Sequence, residues 1–192
     1  MASYCEAAVT HPVHGPYHDN EYGFPNRDED VLFERLVLEI NQAGLSWLTI
    51  LNKRAGFRKA YRNFDVDRVA RFAEGDRTRL LNDASIIRNR LKIDAAIENA
   101  KVVVGLRKSH GGFASWLDSY HPQPKPDWVK VFRRTFRFTG GEIVGEFLIS
   151  LGYLEGAHES WCPAYQRIVP LNPPWRAANS STPDARHPTR KT

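Results

Sequence analysis

The two cysteines of this chain stand near its opposite ends, Cys5 and Cys162, and each has a histidine close by: His18 after the first, His158 four residues before the second. Thiolate and imidazole are the preferred ligands of zinc, and two of each complete a closed tetrahedral site. If the four meet, the fold must bring the first segment of the chain back against its end. A closed site of this kind is structural and leaves the chemistry to the residues between. On the residues alone two alternatives stay open. One is a Cys5–Cys162 disulfide. The other is ordinary core and surface positions, since a histidine and a cysteine four apart are a weak signal by themselves.

At 192 residues the chain is long enough for one well-filled domain. No run of 18 or more apolar residues occurs, so no membrane span is expected. The segment Met1–Cys5 lacks the basic and apolar regions of an export leader. With only two cysteines, a cytoplasmic protein is expected. The net charge of +5 is misleading as a clue to partners. Arg176–Thr192 holds four basic residues and one acid, leaving 23 basic against 21 acidic residues in the body. Distribution says more than the total. Lys53–Arg71 carries seven Lys/Arg against two Asp, and Lys125–Arg137 carries five against one. Such concentration suits phosphate binding even on a nearly neutral protein, although solvated helix faces explain it equally.

Helical periodicity dominates, and the expected class is all-α. Pro12, Gly15, Pro16, Gly23 and Pro25 mark residues 1–27 as a structured but irregular arm. Asp28, Glu29 and Asp30 open a helix that carries Val31, Leu32, Leu36 and Leu38 to about Ala43. Gly44 interrupts it. Separate helical pieces are then read at Leu45–Lys53 and Gly56–Asn63, with further helices after Asp65 and Asp76. A polar break at Asn82–Arg90 precedes a long helix with Ile93, Ala96, Ile97, Ala100, Val103 and Val104 on its apolar stripe. Phe113–Tyr120, Trp128–Arg134 and Glu142–Leu151 complete the set. His11, His14, His110 and His121 have no thiol partner in the pattern and read as surface residues.

Glu39 is the sharpest feature in the middle of the chain. It lies in Leu36-Val37-Leu38-Glu39-Ile40, apolar on both sides. A carboxylate there either faces outward, paired with Arg35 one turn back, or is held in a pocket. Trp47 follows two turns later and shares that face if the helix runs on past Gly44. An indole and a carboxylate together can grip a flat, positively charged heterocycle bearing N–H donors. Taken singly, each is as readily an exposed acid or a core aromatic.

Several motifs occur in a fixed order. They are Tyr17-His18-Asp19-Asn20-Glu21-Tyr22-Gly23, Leu38-Glu39, Gln42-Ala43-Gly44-Leu45-Ser46-Trp47, Ile86-Ile87-Arg88-Asn89-Arg90, Phe136-Arg137-Phe138-Thr139-Gly140, and His158 with Cys162. In this the chain resembles the 3-methyladenine DNA glycosylase I family over about residues 4–165. The resemblance implies an all-α, helix-hairpin-helix glycosylase fold in a single domain, residues 1–175. Its arm 1–27 and its segment 152–165 would be joined by structural Zn2+ on Cys5, His18, His158 and Cys162, with a disordered basic tail at 176–192. It implies Glu39 as the catalytic-site carboxylate, Trp47 as the stacking indole, and Tyr17 and Tyr22 as aromatic walls, Tyr22 standing where the family has Trp. Residues 83–92 match the DNA-binding hairpin, with Ser85, Arg88, Arg90 and Lys92 facing phosphate. Ala7, Ser85 and Leu91, and a shorter Tyr120–Phe136 loop, depart from the family pattern.

The implied reaction is hydrolysis of the N-glycosidic bond of 3-methyladenine in alkylated double-stranded DNA after base flipping, by a monomer without lyase activity. The competing reading is a zinc-clipped DNA-binding protein of the same fold with little or no glycosylase activity. A zinc hydrolase is weaker, because four protein ligands leave no position for water.

Overall fold

The computed structural model describes residues 3–180. In chain order the helices are α1 (Tyr4–Ala8), α2 (His14–Asn20), α3 (Glu29–Gln42), α4 (Trp47–Ala60), α5 (Val66–Ala70), α6 (Glu74–Asn82), α7 (Arg90–His110), α8 (Phe113–Tyr120), α9 (Lys125–Thr135), α10 (Gly141–Ser150), α11 (Pro163–Ile168) and α12 (Pro174–Ser180). No strand occurs among the described residues, as the periodicity predicts.

The architecture follows from α3. Asp28 caps it by accepting the Val31 amide at 3.0 Å, and every residue from Leu32 to Asn41 is buried. A helix buried on all sides must be surrounded. Helices α4, α7, α8 and α10 pack against it. The core so formed runs from Leu32 through Phe57, Ile97 and Trp116 to Phe147.

Two expectations about element boundaries need correcting. Gly44 does end α3, at a φ of +83° where glycine is at ease. The next helix then starts afresh at Trp47 with Ser46 as its cap, so Trp47 is not on a continuation of α3. Gly56 does not start a helix; it lies inside α4. Its reason is close approach, since a Cβ there would stand 2.6 Å from the Ser85 carbonyl oxygen. The expected tail is also shortened, because α12 carries helix through Ser180. Residues 181–192 lie outside the described residues.

Helix α7 is entered from a tight loop. Asp83 Oδ1 accepts both the Ser85 amide at 2.9 Å and the Ser85 hydroxyl at 2.6 Å. Lys53 Nζ donates to the Ala84 carbonyl at 2.8 Å. Asn89 caps α7 through the Lys92 amide. Helices α6 and α7 thus make a hairpin whose tip rests on α4. Among the described residues no helix is long and apolar enough to cross a membrane.

Candidate active site and metal centre

The buried polar groups of α3 can be accounted for one at a time. Glu34 accepts from Arg54 Nε at 2.7 Å and Arg58 Nε at 2.8 Å. Arg35 donates to the Tyr17 hydroxyl at 2.9 Å and to Glu21 at 3.0 Å. Asn41 donates to the Val37 carbonyl. Glu39, only 3% exposed, has no hydrogen bond or ion pair among the described residues. The alternative of an exposed Glu39 paired with Arg35 is not realised, because that guanidinium is turned to the arm. Burial, and then the charge of Glu146, push the Glu39 carboxyl up to about 8, against a weaker downward pull from Arg35.

Glu39 borders a cavity of about 270 Å³ together with Tyr4, Tyr17, Tyr22, Gln42, Trp47 and Glu146. Four of the seven walls are aromatic. Tyr17 lies 5.2 Å from Trp47 and 5.8 Å from Tyr22 between ring centroids, and Tyr4 lies 5.5 Å from Tyr22. The volume is close to the roughly 300 Å³ lower bound for ligand pockets and suits one small heterocycle. Tyr17 is held in place by Arg35, which donates to its hydroxyl and stands 4.8 Å from its ring centroid. Glu21 anchors the same arm to α4, accepting from Arg54 twice at 2.7 Å. Its burial is outweighed by the Arg54 and Arg35 guanidinium groups, which hold its carboxyl below the usual range.

All four residues read from sequence as pocket-forming therefore line one cavity. The sequence reading missed three others. Tyr4 adjoins Cys5, Gln42 lies inside a quoted motif, and Glu146 interrupts the apolar run Ile143–Leu148 just as Glu39 interrupts its own.

Cys5, His18, His158 and Cys162 converge, with their ligand atoms all within 4.8 Å of one another. They form a group that could hold a metal ion. Both cysteines are free thiols, so the disulfide alternative is not realised. The surroundings select the ligating nitrogens. His18 Nδ1 bonds to Asp19 Oδ1 at 2.7 Å, leaving Nε2 for a metal. His158 Nε2 donates to the Tyr22 carbonyl at 2.7 Å, leaving Nδ1. The Glu159 amide donates to Cys5 Sγ at 3.4 Å, as suits a thiolate. The bond from His158 to Tyr22 joins this cluster directly to the cavity wall. Of the histidines expected at the surface, His14 meets the Tyr4 hydroxyl at 3.0 Å and His121 donates to the Pro174 carbonyl; both are half-buried.

On the hairpin, Ser85, Arg88 and Arg90 are exposed, and Leu91 beside them is 68% exposed. Arg90 contacts Glu74 and Asp94 loosely, whereas Arg88 has no ion pair among the described residues. Lys92 departs from expectation. It is 5% exposed, and its ammonium donates to the Asn41 and Ala43 carbonyls at 2.9 and 2.7 Å. Those carbonyls lie at the end of α3, where helical partners have run out. Lys92 therefore ties the start of α7 to the end of α3 and does not face outward.

Comparison with known proteins places this arrangement. Residues 7–137 match the methyladenine glycosylase family. The chain is 35% identical to DNA-3-methyladenine glycosylase 1 of Escherichia coli strain K12, over 80% of this chain and 92% of that protein. It is 34% identical to DNA-3-methyladenine glycosylase of Haemophilus influenzae, over 85% and 98%. A solved structure of a variant 3-methyladenine DNA glycosylase I in complex with 3-methyladenine superposes with a TM-score of 0.77 at 29% identity, covering 85% of this chain and 97% of that one. The chain belongs to the methyladenine glycosylase family.

Proposed function

We propose that this protein excises 3-methyladenine from alkylated double-stranded DNA by hydrolysing its N-glycosidic bond, leaving an abasic site. The observation that carries the reading is Glu39, a buried carboxylate without a protein partner, facing a small cavity walled by Tyr4, Tyr17, Tyr22 and Trp47. A base in a duplex cannot reach such a cavity unless it is flipped out of the stack. In DNA the 3-methylated adenine is cationic, so its glycosidic bond is already weak and the base leaves neutral without an acid to protonate it. The pocket then needs to select more than to activate. Glu39 accepts from the exocyclic amine and favours the cation. Trp47 and Tyr17 stack on the ring, and water attacks the sugar. Among the described residues no lysine lines the cavity, which accords with a monofunctional hydrolase.

The metal in this reading is zinc, and its role is structural. Tetrahedral zinc at its usual bond lengths separates two nitrogens by about 3.3 Å and a nitrogen from a sulfur by about 3.6 Å. The corresponding distances here are 3.1 Å for His158 Nδ1 to His18 Nε2, and 3.7 to 3.8 Å for three of the four nitrogen–sulfur pairs. The two thiolates and two imidazoles fit that ion and fill its shell, so its part is to hold the arm that delivers Tyr17 and Tyr22. Ser85, Arg88, Arg90 and the backbone of the hairpin loop hold phosphate. The protein works in the cytoplasm as a monomer.

Base release from methylated DNA tests the proposal. The wild-type protein releases 3-methyladenine, and Glu39→Gln removes most of that release while helix content and bound zinc persist. A wild-type protein that binds DNA yet releases no base would instead be a zinc-clipped binder of the same fold. Strand cleavage by β-elimination at an abasic site would contradict the monofunctional assignment.

A further inference from the structure

The cavity contains a second carboxylate that the mechanism above does not use. Glu146 lies half-buried on α10, and its Oε2 accepts the Tyr22 hydroxyl at 3.1 Å. Its Oε1 has no hydrogen-bond partner, and no Lys, Arg or His forms an ion pair with either carboxyl oxygen, among the described residues. Glu39, on α3, is likewise unpaired. None of the other cavity walls, Tyr4, Tyr17, Tyr22, Gln42 and Trp47, carries a positive charge. Two other acids beside this site do have cations: Glu34 with Arg54 and Arg58, Glu21 with Arg35 and Arg54. Two carboxyl groups that share a small cavity and have no protein counterion favour a positive charge placed between them: burial keeps Glu39 protonated in the empty cavity, and a cation that meets it there favours its ionised form.

We propose that Glu146 is a second base-reading carboxylate, and that Glu39 and Glu146 together make this a pocket for a cationic, amine-bearing base as against a neutral one. This inference rests on the base-excision reading and deepens it. Glu39 reads one N–H edge from α3. Glu146, steadied by Tyr22, offers Oε1 to a second donor and adds its charge to the selection. Because Tyr22 is itself tied through its carbonyl to His158, the arm that carries both His18 and Tyr22 sets where that carboxylate sits.

Binding measured by calorimetry with two base analogues separates charge recognition from mere wall packing. The permanently cationic probe is 3,9-dimethyladeninium and the neutral one is 9-methyladenine. The wild-type protein prefers the cation. Glu146→Gln, which keeps the shape and can still meet the Tyr22 hydroxyl, weakens the cation by about tenfold or more and leaves the neutral base within about twofold. Glu146→Asp retains part of the preference. Equal losses for both probes, or none for the cation, would overturn the inference while leaving the glycosylase reading intact. A wild-type protein that takes neither probe and releases no base from methylated DNA would overturn both. Unchanged thermal midpoints and zinc content in the two variants guard against a folding artefact.

Discussion

Glu39 is a carboxylate held where its charge is poorly solvated, and that has a cost the sequence position alone does not show. Its proton affinity rises from an ordinary value of 4.5 to about 8, so between those pH values the folded state keeps a proton that the unfolded chain has released. Stability attributable to this residue therefore falls as pH rises through that window, by at most about 1.4 kcal/mol per pH unit. Glu39→Gln has no such dependence. Denaturant unfolding of the two proteins should give curves that coincide near pH 4.5 and separate in favour of the variant up to pH 8. Parallel curves would mean that the carboxylate is ionised and compensated. The sequence marked the same residue as a candidate because an acid in an apolar run is either exposed or held in a pocket, and the resemblance to the glycosylase family favoured the pocket. Glu146 has the same signature in Ile143–Leu148 and was passed over, because a lone acid on an amphipathic helix ordinarily faces water. Only the packing of α10 on α3 turns it toward the cavity.

At the scale of elements, the hairpin between α6 and α7 divides its basic residues into two kinds. Arg88 is exposed and has no ion pair among the described residues, while Lys92 is buried on the carbonyls that end α3. Arg88→Ala should leave stability unchanged, weaken DNA binding and lower the slope of log K against log salt by about 1. Lys92→Met should do the reverse in kind, costing about 1–3 kcal/mol of stability by leaving α3 carbonyls without a donor. Fluorescence-anisotropy titrations over a salt series, paired with denaturant midpoints, distinguish them. A loss of salt slope in Lys92→Met with stability intact would restore its expected role at phosphate. Sequence could not separate the two, because both are basic residues near a helix start. Which one faces inward depends on where α3 ends, at Gly44. The Gly56 reading failed for a related reason. A glycine inside a helix looks like a break until the Ser85 carbonyl is seen resting where a side chain would be.

For the whole molecule, Cys5, His18, His158 and Cys162 clip the arm and the segment after α10 to one point. If they hold the zinc proposed above, the ion stabilises the fold by binding a ligand set that the unfolded chain does not assemble. Cys162→Ala, or removal of the proposed zinc by a strong chelator, should lower the thermal midpoint first and base release only as the folded fraction falls. Calorimetry with and without chelator, alongside base release below the melting range, checks this. A zinc-free Cys162→Ala protein of unchanged midpoint that had lost only turnover would place the ion in the chemistry.

The sequence by itself determined the helical class, through its period, and put forward Cys5, His18, His158 and Cys162 as a possible metal set and Glu39 with Trp47 as a possible pocket pair. The pocket roles of Glu39, Trp47, Tyr17 and Tyr22 came from the resemblance to the glycosylase family. The tertiary structure decided what depends on one helix meeting another. It turned Lys92 inward and left Arg88 outside. It gave Gly56 a neighbour, and it brought Tyr4, Gln42 and Glu146 into a cavity with residues far from them in the chain. Periodicity specifies which face of a helix is buried, but not which helix buries it, and the second acid of the pocket was set by that choice.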